Sequence, residues 1–160
     1  MAIERERKFL VIASKLPPLD PEQAHVIEAG YFTQTPPAIR VTVRDHGRHG
    51  KEPRYKVCFK GPGTDVRAEY EYSVPAQDAL ELLALSPTYI KKQRFFIDGW
   101  EVDRFDFPGH DTLWTAEWEE DEEKGTLPAV LPEWVGGELT DNFSFTNMRL
   151  AWAHGKRLGR

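Results

Sequence analysis

The strongest constraint on how this chain can fold is a set of charged residues that recur two apart. In MAIERERKFL, Glu4, Glu6 and Lys8 alternate with Ile3, Arg5, Arg7 and Phe9. In a β-strand, side chains two apart share a face, so Glu4, Glu6 and Lys8 line one wall while Ile3 and Phe9 take the other. The same period returns in Arg40, Thr42 and Arg44, in Lys56, Cys58 and Lys60, and in Arg67, Glu69 and Glu71. It returns again in Lys92 and Arg94, and in Glu117 and Glu119. The opposite faces carry Ile39, Val41, Val43, Tyr55, Val57, Phe59, Tyr70, Tyr72, Phe95, Ala116 and Trp118.

A single charged strand face is ordinary solvated surface. Three Glu-x-Glu pairs and three basic sets, each keeping one sign, are not, because like charges on neighbouring positions repel and exposed strands usually mix signs. The concentration makes sense if a ligand relieves it. Carboxylate pairs suit hard divalent cations such as Mg²⁺ or Mn²⁺. Basic pairs suit a polyanion, with Arg forks matching phosphate oxygens. The spacing thus predicts strands that turn charged walls inward around a phosphate chain and its metal, with the apolar faces outward under helices.

Between the charged sets the chain reads as short strands and tight turns. Strands are predicted over Val26–Gln34, Ile39–Arg44, Arg54–Lys60, Val66–Val74, Tyr89–Ile97, Trp100–Phe107 and Thr112–Glu120, after the opening one. Asp98-Gly99 reads as a two-residue hairpin turn. Ala76–Leu85 has helical spacing, Asp20 caps a short turn at Pro21, and Thr140-Asp141-Asn142 is placed to cap a last helix near Phe145–His154. Pro128–Gly137 is rich in Pro and Gly and is read as loop. About eight strands in a meander, with two or three short helices, favour closure into a barrel that leaves no free edge. The fold class expected is α+β, mainly antiparallel β: a closed eight-stranded β-barrel with short helices packed outside.

The 160 residues fit one domain, 1–160, with enough length for a core. A net charge of −5, from 21 basic and 26 acidic side chains, argues against a general nucleic-acid binder. No apolar run approaches the roughly 20 residues needed to span a bilayer, and five charges in the first eight residues do not read as a secretory signal. A lone cysteine, Cys58, points to a reducing, cytoplasmic setting. No membrane partner is expected, and a homodimer is left open.

Several ordered motifs resemble those of the CYTH superfamily, the triphosphate tunnel metalloenzymes. Glu4-x-Glu6-x-Lys8 is similar to the family's ExExK opening, Gly30-Tyr31-Phe32 to its GYL motif, and Arg67-x-Glu69-x-Glu71-Tyr72 to its RxExEY strand. Lys92-x-Arg94-Phe95, Val102-Asp103-x-Phe105, Ala116-Glu117-x-Glu119 and the closing Trp134-x-Gly136-x-Glu138-Leu139-Thr140 with Asn147 follow in the family's order. The resemblance implies an eight-stranded tunnel that hydrolyses a triphosphate, inorganic tripolyphosphate above all, with Mg²⁺ or Mn²⁺. It implies metal ligands at Glu4, Glu6, Glu69, Glu71, Glu117 and Glu119, with Asp103 assisting. It implies phosphate contacts at Lys8, Arg40, Lys60, Lys92 and Arg94, helped by Arg44, Lys56 and Arg67. The bacterial phosphatase branch adds a catalytic Lys–Tyr dyad, here Lys92 and Tyr31. One departure stands out: Thr42 occupies the place of the second Arg in the family's RxR strand, and Arg44 lies one same-face step further on.

Two rivals remain at this point. One is a class IV adenylyl cyclase making cyclic AMP from ATP, although no base-recognition motif is visible. The other is a non-catalytic polyphosphate-binding module, for which acidic walls bring no gain. His46 and His49 lack further ligands at zinc-like spacing, and no GxxxxGK[ST] loop is present.

Overall fold

The computed structural model describes residues 2–155. Nine strands form one antiparallel sheet: β1 (Ala2–Val11), β2 (His25–Tyr31), β3 (Ala38–Arg44), β4 (Arg54–Lys60), β5 (Val66–Ser73), β6 (Ile90–Ile97), β7 (Trp100–Phe105), β8 (Leu113–Glu119) and β9 (Val135–Glu138). The order is β5-β4-β3-β2-β6-β7-β8-β1, and β1 pairs back onto β5, which closes eight strands into a barrel. Closure depends on the length of β1. Its first half pairs with β5 through Ala2↔Glu69 to Arg5↔Val66, while Glu6 to Leu10 pair with β8 on the other edge. The ninth strand continues along the β5 edge of β1, with Phe9 opposite Glu138 and Val11 opposite Val135. Its Val135-Gly-Gly-Glu138 sequence has no alternation of its own, so it reads as loop and becomes a strand because β1 offers unpaired backbone groups.

Local chemistry sets the turns. Asp98 and Gly99 both adopt positive φ, 48° and 86°, as a two-residue turn matched to strand twist requires. Asp20 caps a 3-10 turn at Pro21–Gln23 by accepting a hydrogen bond from the Glu22 backbone N–H. α1 (Ala76–Leu85) crosses the outside of β2, β3 and β4, burying Ala79 and Leu83 against Val41 and Val43. α2 (Asn147–His154) starts at Thr146, whose hydroxyl accepts from the Arg149 N–H, and buries Met148, Leu150 and Ala151 against Tyr31, Ile90 and Phe105. The Asn142 side chain caps the preceding 3-10 turn, Phe143–Phe145, rather than the helix.

Because the middle of the lumen is charged, most of the core lies outside the barrel wall, while Ala29, Tyr31, Ile90 and Met148 form an apolar plug at one end of the lumen. Trp100 anchors its largest part, with edge-on contacts to Phe9, Trp118 and Trp134 at centroid distances of 5.6, 5.3 and 5.7 Å. This cluster is covered by Leu16, Leu19, Leu127 and Val135 from extended segments, not by a helix. α1 covers only the Tyr55 and Val57 part of β4, so Phe59 at the end of β4 and Tyr70 and Tyr72 on β5 stay exposed.

Gly30 shows how the outer packing aims a lumen residue. A Cβ there would lie 2.4 Å from Ser86 Oγ and 2.5 Å from Ser86 Cβ, so only glycine lets the chain after α1 press onto β2. Ser86 and Thr88 hydroxyls then donate to the Tyr31 carbonyl, and Thr88 Oγ1 accepts from the Tyr31 N–H at 2.8 Å. Gly30→Ala is expected to destabilise the protein by about 1–3 kcal/mol in urea unfolding, and Ser86→Gly in the same chain should recover most of that loss. Full stability of Gly30→Ala alone would refute the close-packing account.

Candidate active site

Strand alternation turns the charged faces into the barrel. A cavity of about 490 Å³ runs through it, lined by Glu4, Glu6 and Lys8 from β1, Arg40 and Arg44 from β3, and Lys56 and Lys60 from β4. Arg67, Glu69 and Glu71 from β5, Lys92 and Arg94 from β6, Glu117 and Glu119 from β8, and Tyr31 from β2 complete the wall. Every site residue read from the sequence except Asp103 therefore lines one cavity. Strand polarity defines its two ends. Arg44, Arg54, Glu101 and Glu119 sit at the end where β3 and β8 finish and β4 and β7 begin. The segment with Phe145, Asn147 and Met148 lies across the other end, held there by Lys8 Nζ, which donates to the Phe145 carbonyl at 2.8 Å and to Asn147 Oδ1 at 3.2 Å.

The buried charges are compensated in two knots. In the first, Lys60 Nζ donates to Glu4 Oε1 at 2.9 Å, and Arg67 bridges Glu4 and Glu6 through Nε at 3.1 Å and Nη2 at 2.8 Å. In the second, Asp103 receives Lys92 Nζ at 2.7 Å and a two-pronged grip from Arg94 at 2.8 and 2.9 Å. Arg94 also reaches Glu101 at 2.9 Å, and Lys8 lies 3.3 Å from Glu117. Lys56 is bonded to Glu71. Asp103 is thus 1% exposed with both oxygens engaged by cations, a brace that fixes Lys92 and Arg94 from behind.

Tyr31 and Lys92 share no side-chain hydrogen bond among the described residues, and Lys92 Nζ is held by Asp103. The register puts Tyr31 opposite Arg40, whereas Lys92 stands opposite Ile27, two inward steps further along β2. Two residues proved part of the lumen that sequence reading had left out. Glu101 is one; its signal is the Glu101-x-Asp103 alternation on the strand that carries the Asp103 motif. Arg54 is the other, recognisable only through its pairing with Arg44. His46, by contrast, bonds the Tyr55 hydroxyl at 2.6 Å outside the tunnel.

The acidic side has donors to spare. Glu119 makes no hydrogen bond or ion pair among the described residues, and burial with Glu101, Glu4 and Glu69 nearby pushes its pKa up to about 7. Burial and the Glu117 charge push Glu6 up to about 8. Burial likewise raises Glu69, despite Lys60. Carboxylates that resist ionisation because burial and like charges outweigh the nearby cations form an all-oxygen set that fits a hard divalent cation. Cys58 Sγ sits with Glu69 and Glu71 in a group compact enough for a metal, yet burial raises its thiol to about 11. The thiol stays protonated there and donates to Glu69 at 3.5 Å. On the basic side, Arg40 Nε is buried with no hydrogen-bond partner among the described residues.

Comparison with known proteins gives relatives of the same length. The chain is 31% identical over 159 residues to the inorganic triphosphatase of Acetivibrio thermocellus, covering 94% of each chain. Two solved structures of NE1496 share the fold. The one described as a hypothetical protein has a TM-score of 0.59 at 22% identity, covering 94% of this chain and 99% of that one. The one described as an inorganic triphosphatase has a TM-score of 0.51 at 23% identity, covering 94% and 95%. No protein-family model matches the chain.

The raised carboxyls fix the sign of a pH effect. Glu6 and Glu119 ionise near 4.5 when unfolded but near 8 and 7 when folded, so the stability they contribute at low pH is lost as pH rises through that window. In a chelator, the melting temperature is expected to fall between about pH 5 and about pH 8. A profile that is flat or rises over this range would contradict the charge assignment.

Proposed function

The chain belongs to the triphosphate tunnel metalloenzymes, the family of its inorganic triphosphatase relative, and we propose that it hydrolyses inorganic tripolyphosphate to pyrophosphate and orthophosphate inside the barrel. The observation that carries the reading is one lumen with two chemistries: cations on β1, β3, β4 and β6, those of β6 braced by Asp103, together with carboxylates on β1, β5 and β8 that burial holds back from ionising. Phosphoryl transfer needs little covalent help from a protein, so positioning and charge compensation carry most of the catalysis.

Arg40, Lys60, Lys92, Arg94 and Lys8 would hold the phosphate oxygens, with Arg44, Lys56 and Arg67 as outer contacts. Arg40 Nε is an unused donor ready for this role. Asp103 keeps Lys92 and Arg94 pointed inward, so it acts as a positioning residue. Burial and the Arg94 charge lower the Lys92 pKa, which suits its Nζ to pass a proton to the departing bridging oxygen as water attacks the terminal phosphorus. Tyr31, beside Arg40, would orient the phosphate that Arg40 holds.

Glu119 and Glu69 are the best-placed ligands for Mg²⁺ or Mn²⁺, because Glu4, Glu6 and Glu117 already share protein cations, and Glu6 would offer its second carboxylate oxygen. Glu4, Glu71 and Glu117 would complete or buffer the set. A bound divalent ion would neutralise phosphate charge and acidify a water. Hydrolysis in the cytoplasm accords with a single buried, unpaired Cys58, and no helix among the described residues is long and apolar enough to cross a membrane.

Glu119→Gln tests the site directly, since Glu119 supports no structural ion pair. Orthophosphate release from tripolyphosphate with Mg²⁺ or Mn²⁺ is expected to fall by about two orders of magnitude. The melting temperature in chelator should hold or rise, and the Mg²⁺-induced rise in melting temperature should disappear. Full activity in this variant would sink the metal assignment. Cyclic AMP from ATP in place of orthophosphate would move the chemistry to a cyclase.

A further inference from the structure

The loop between β7 and β8 and the last turn of α2 place two histidines side by side on the outside of the barrel. Phe107-Pro108-Gly109-His110 has the residue pattern of a type II turn, a proline followed by a glycine at positive φ, here 75°. The His110 N–H donates to the Phe107 carbonyl at 3.2 Å and closes the turn. His154 ends α2, four residues after Leu150 and three after Ala151, both of them buried. It therefore stands at the rim of the packed helix face. Packing fixes both anchors. Phe107 stacks on Phe105 at a centroid distance of 5.5 Å and lies 5.5 Å from the His154 ring. Gly155 lets the helix end close on the residue before β6, since a Cβ there would lie 2.9 Å from the Tyr89 carbonyl oxygen.

The two imidazoles are 4.6 Å apart between ring centres, with their planes at 64°. Both residues are exposed, and neither ring makes a hydrogen bond or ion pair among the described residues. His25 and His46, by contrast, are engaged by Asp45 and Tyr55. Imidazole nitrogens left to water suit Zn²⁺, Ni²⁺ and Cu²⁺, whereas Mg²⁺ prefers oxygen. The spacing also fits. An ion about 2.0–2.1 Å from one nitrogen of each ring, at an N–metal–N angle of about 90–110°, sets the ring centres about 4.5–5.2 Å apart. The observed separation lies in that range, so ring rotation alone brings one nitrogen of each to a common point. The exposed Asp111 carboxylate, next in the chain, has no cation of its own among the described residues and adds negative charge nearby.

We propose that His110 and His154 form a surface site for one divalent ion of the zinc, nickel and copper class, with water completing its coordination. The site is separate from the lumen, whose carboxylates select hard cations. It joins the β7–β8 loop to the C-terminal end of α2, the helix whose first residues, Asn147 and Met148, line the lumen. A bound ion would fasten that helix to the barrel wall. The inference does not depend on which reaction the lumen performs.

The test is a calorimetric titration of the full, untagged chain with Ni²⁺, in excess Mg²⁺ to occupy the lumen carboxylates. The wild-type protein is expected to bind one Ni²⁺, and its melting temperature to rise as it does so. His110→Asn and His154→Gln should each weaken binding about tenfold or more and remove that rise, because a lone imidazole loses the effective concentration of the second donor. His46→Asn should leave both readouts unchanged. Substoichiometric Cu²⁺ should broaden the ring-proton NMR signals of His110 and His154 together, a readout on the unaltered chain that does not require the variants to fold. No Ni²⁺ binding in the wild type, binding that survives in both variants, or broadening of one histidine without the other would overturn the site. None of these readouts involves turnover, so the hydrolase reading stands or falls separately.

Discussion

Everything in this barrel depends on the mutual compensation of charges taken out of water. Glu4, Glu6, Lys8, Lys60, Lys92, Asp103 and Glu117 are all buried, and an ionised group moved alone into a protein interior costs several kcal/mol even after relaxation. The two knots make the cost bearable. Lys60 and Arg67 share Glu4, and Arg67 extends to Glu6. Lys92 and Arg94 share Asp103. Each knot crosses strands, so it exists only when the strands are in register: Arg67 reaches Glu4 because β5 closes on β1, and Arg94 meets Asp103 because β6 and β7 are joined by a two-residue turn.

The compensation is uneven, and the unevenness is where function lies. Cations braced by Asp103 keep their orientation without being consumed by it. Burial outweighs the positive charge near Glu119, Glu6 and Glu69, and Arg40 Nε and the Arg54 side chain have no hydrogen-bond partner among the described residues. A site balanced within itself would have no use for a ligand. This one has a surplus of each sign on different walls, which a phosphate chain and a divalent cation together would satisfy. The apolar packing pays the structural debt, through the Trp100 cluster and α1 outside the wall and α2 across one end of the lumen.

Much of this was legible in the residues. Alternation placed Glu4, Glu6 and Lys8 on one face and Phe9 on the other because strand geometry has period two regardless of what surrounds the strand. The Asp98-Gly99 turn was legible because two consecutive positive φ values restrict the choice of residues. β9 was not, since Val135-Gly136-Gly137-Glu138 has neither alternation nor strong propensity and is held by the free edge of β1. Glu101 was readable in principle from its spacing to Asp103, but a carboxylate beside a buried tryptophan looks like ordinary surface until the neighbouring strand is known.

The sequence by itself determined which side chains share a face and therefore that charged walls of one sign exist, because that follows from local backbone geometry. Only the tertiary structure decided which walls meet. It set Tyr31 opposite Arg40, gave Lys92 and Arg94 a shared partner in Asp103, left the Glu119 carboxylate without a hydrogen bond or ion pair among the described residues, and set Arg54 against Arg44. These outcomes depend on register between strands distant in the chain, and register is fixed by closure of the whole barrel, which no local run of residues encodes.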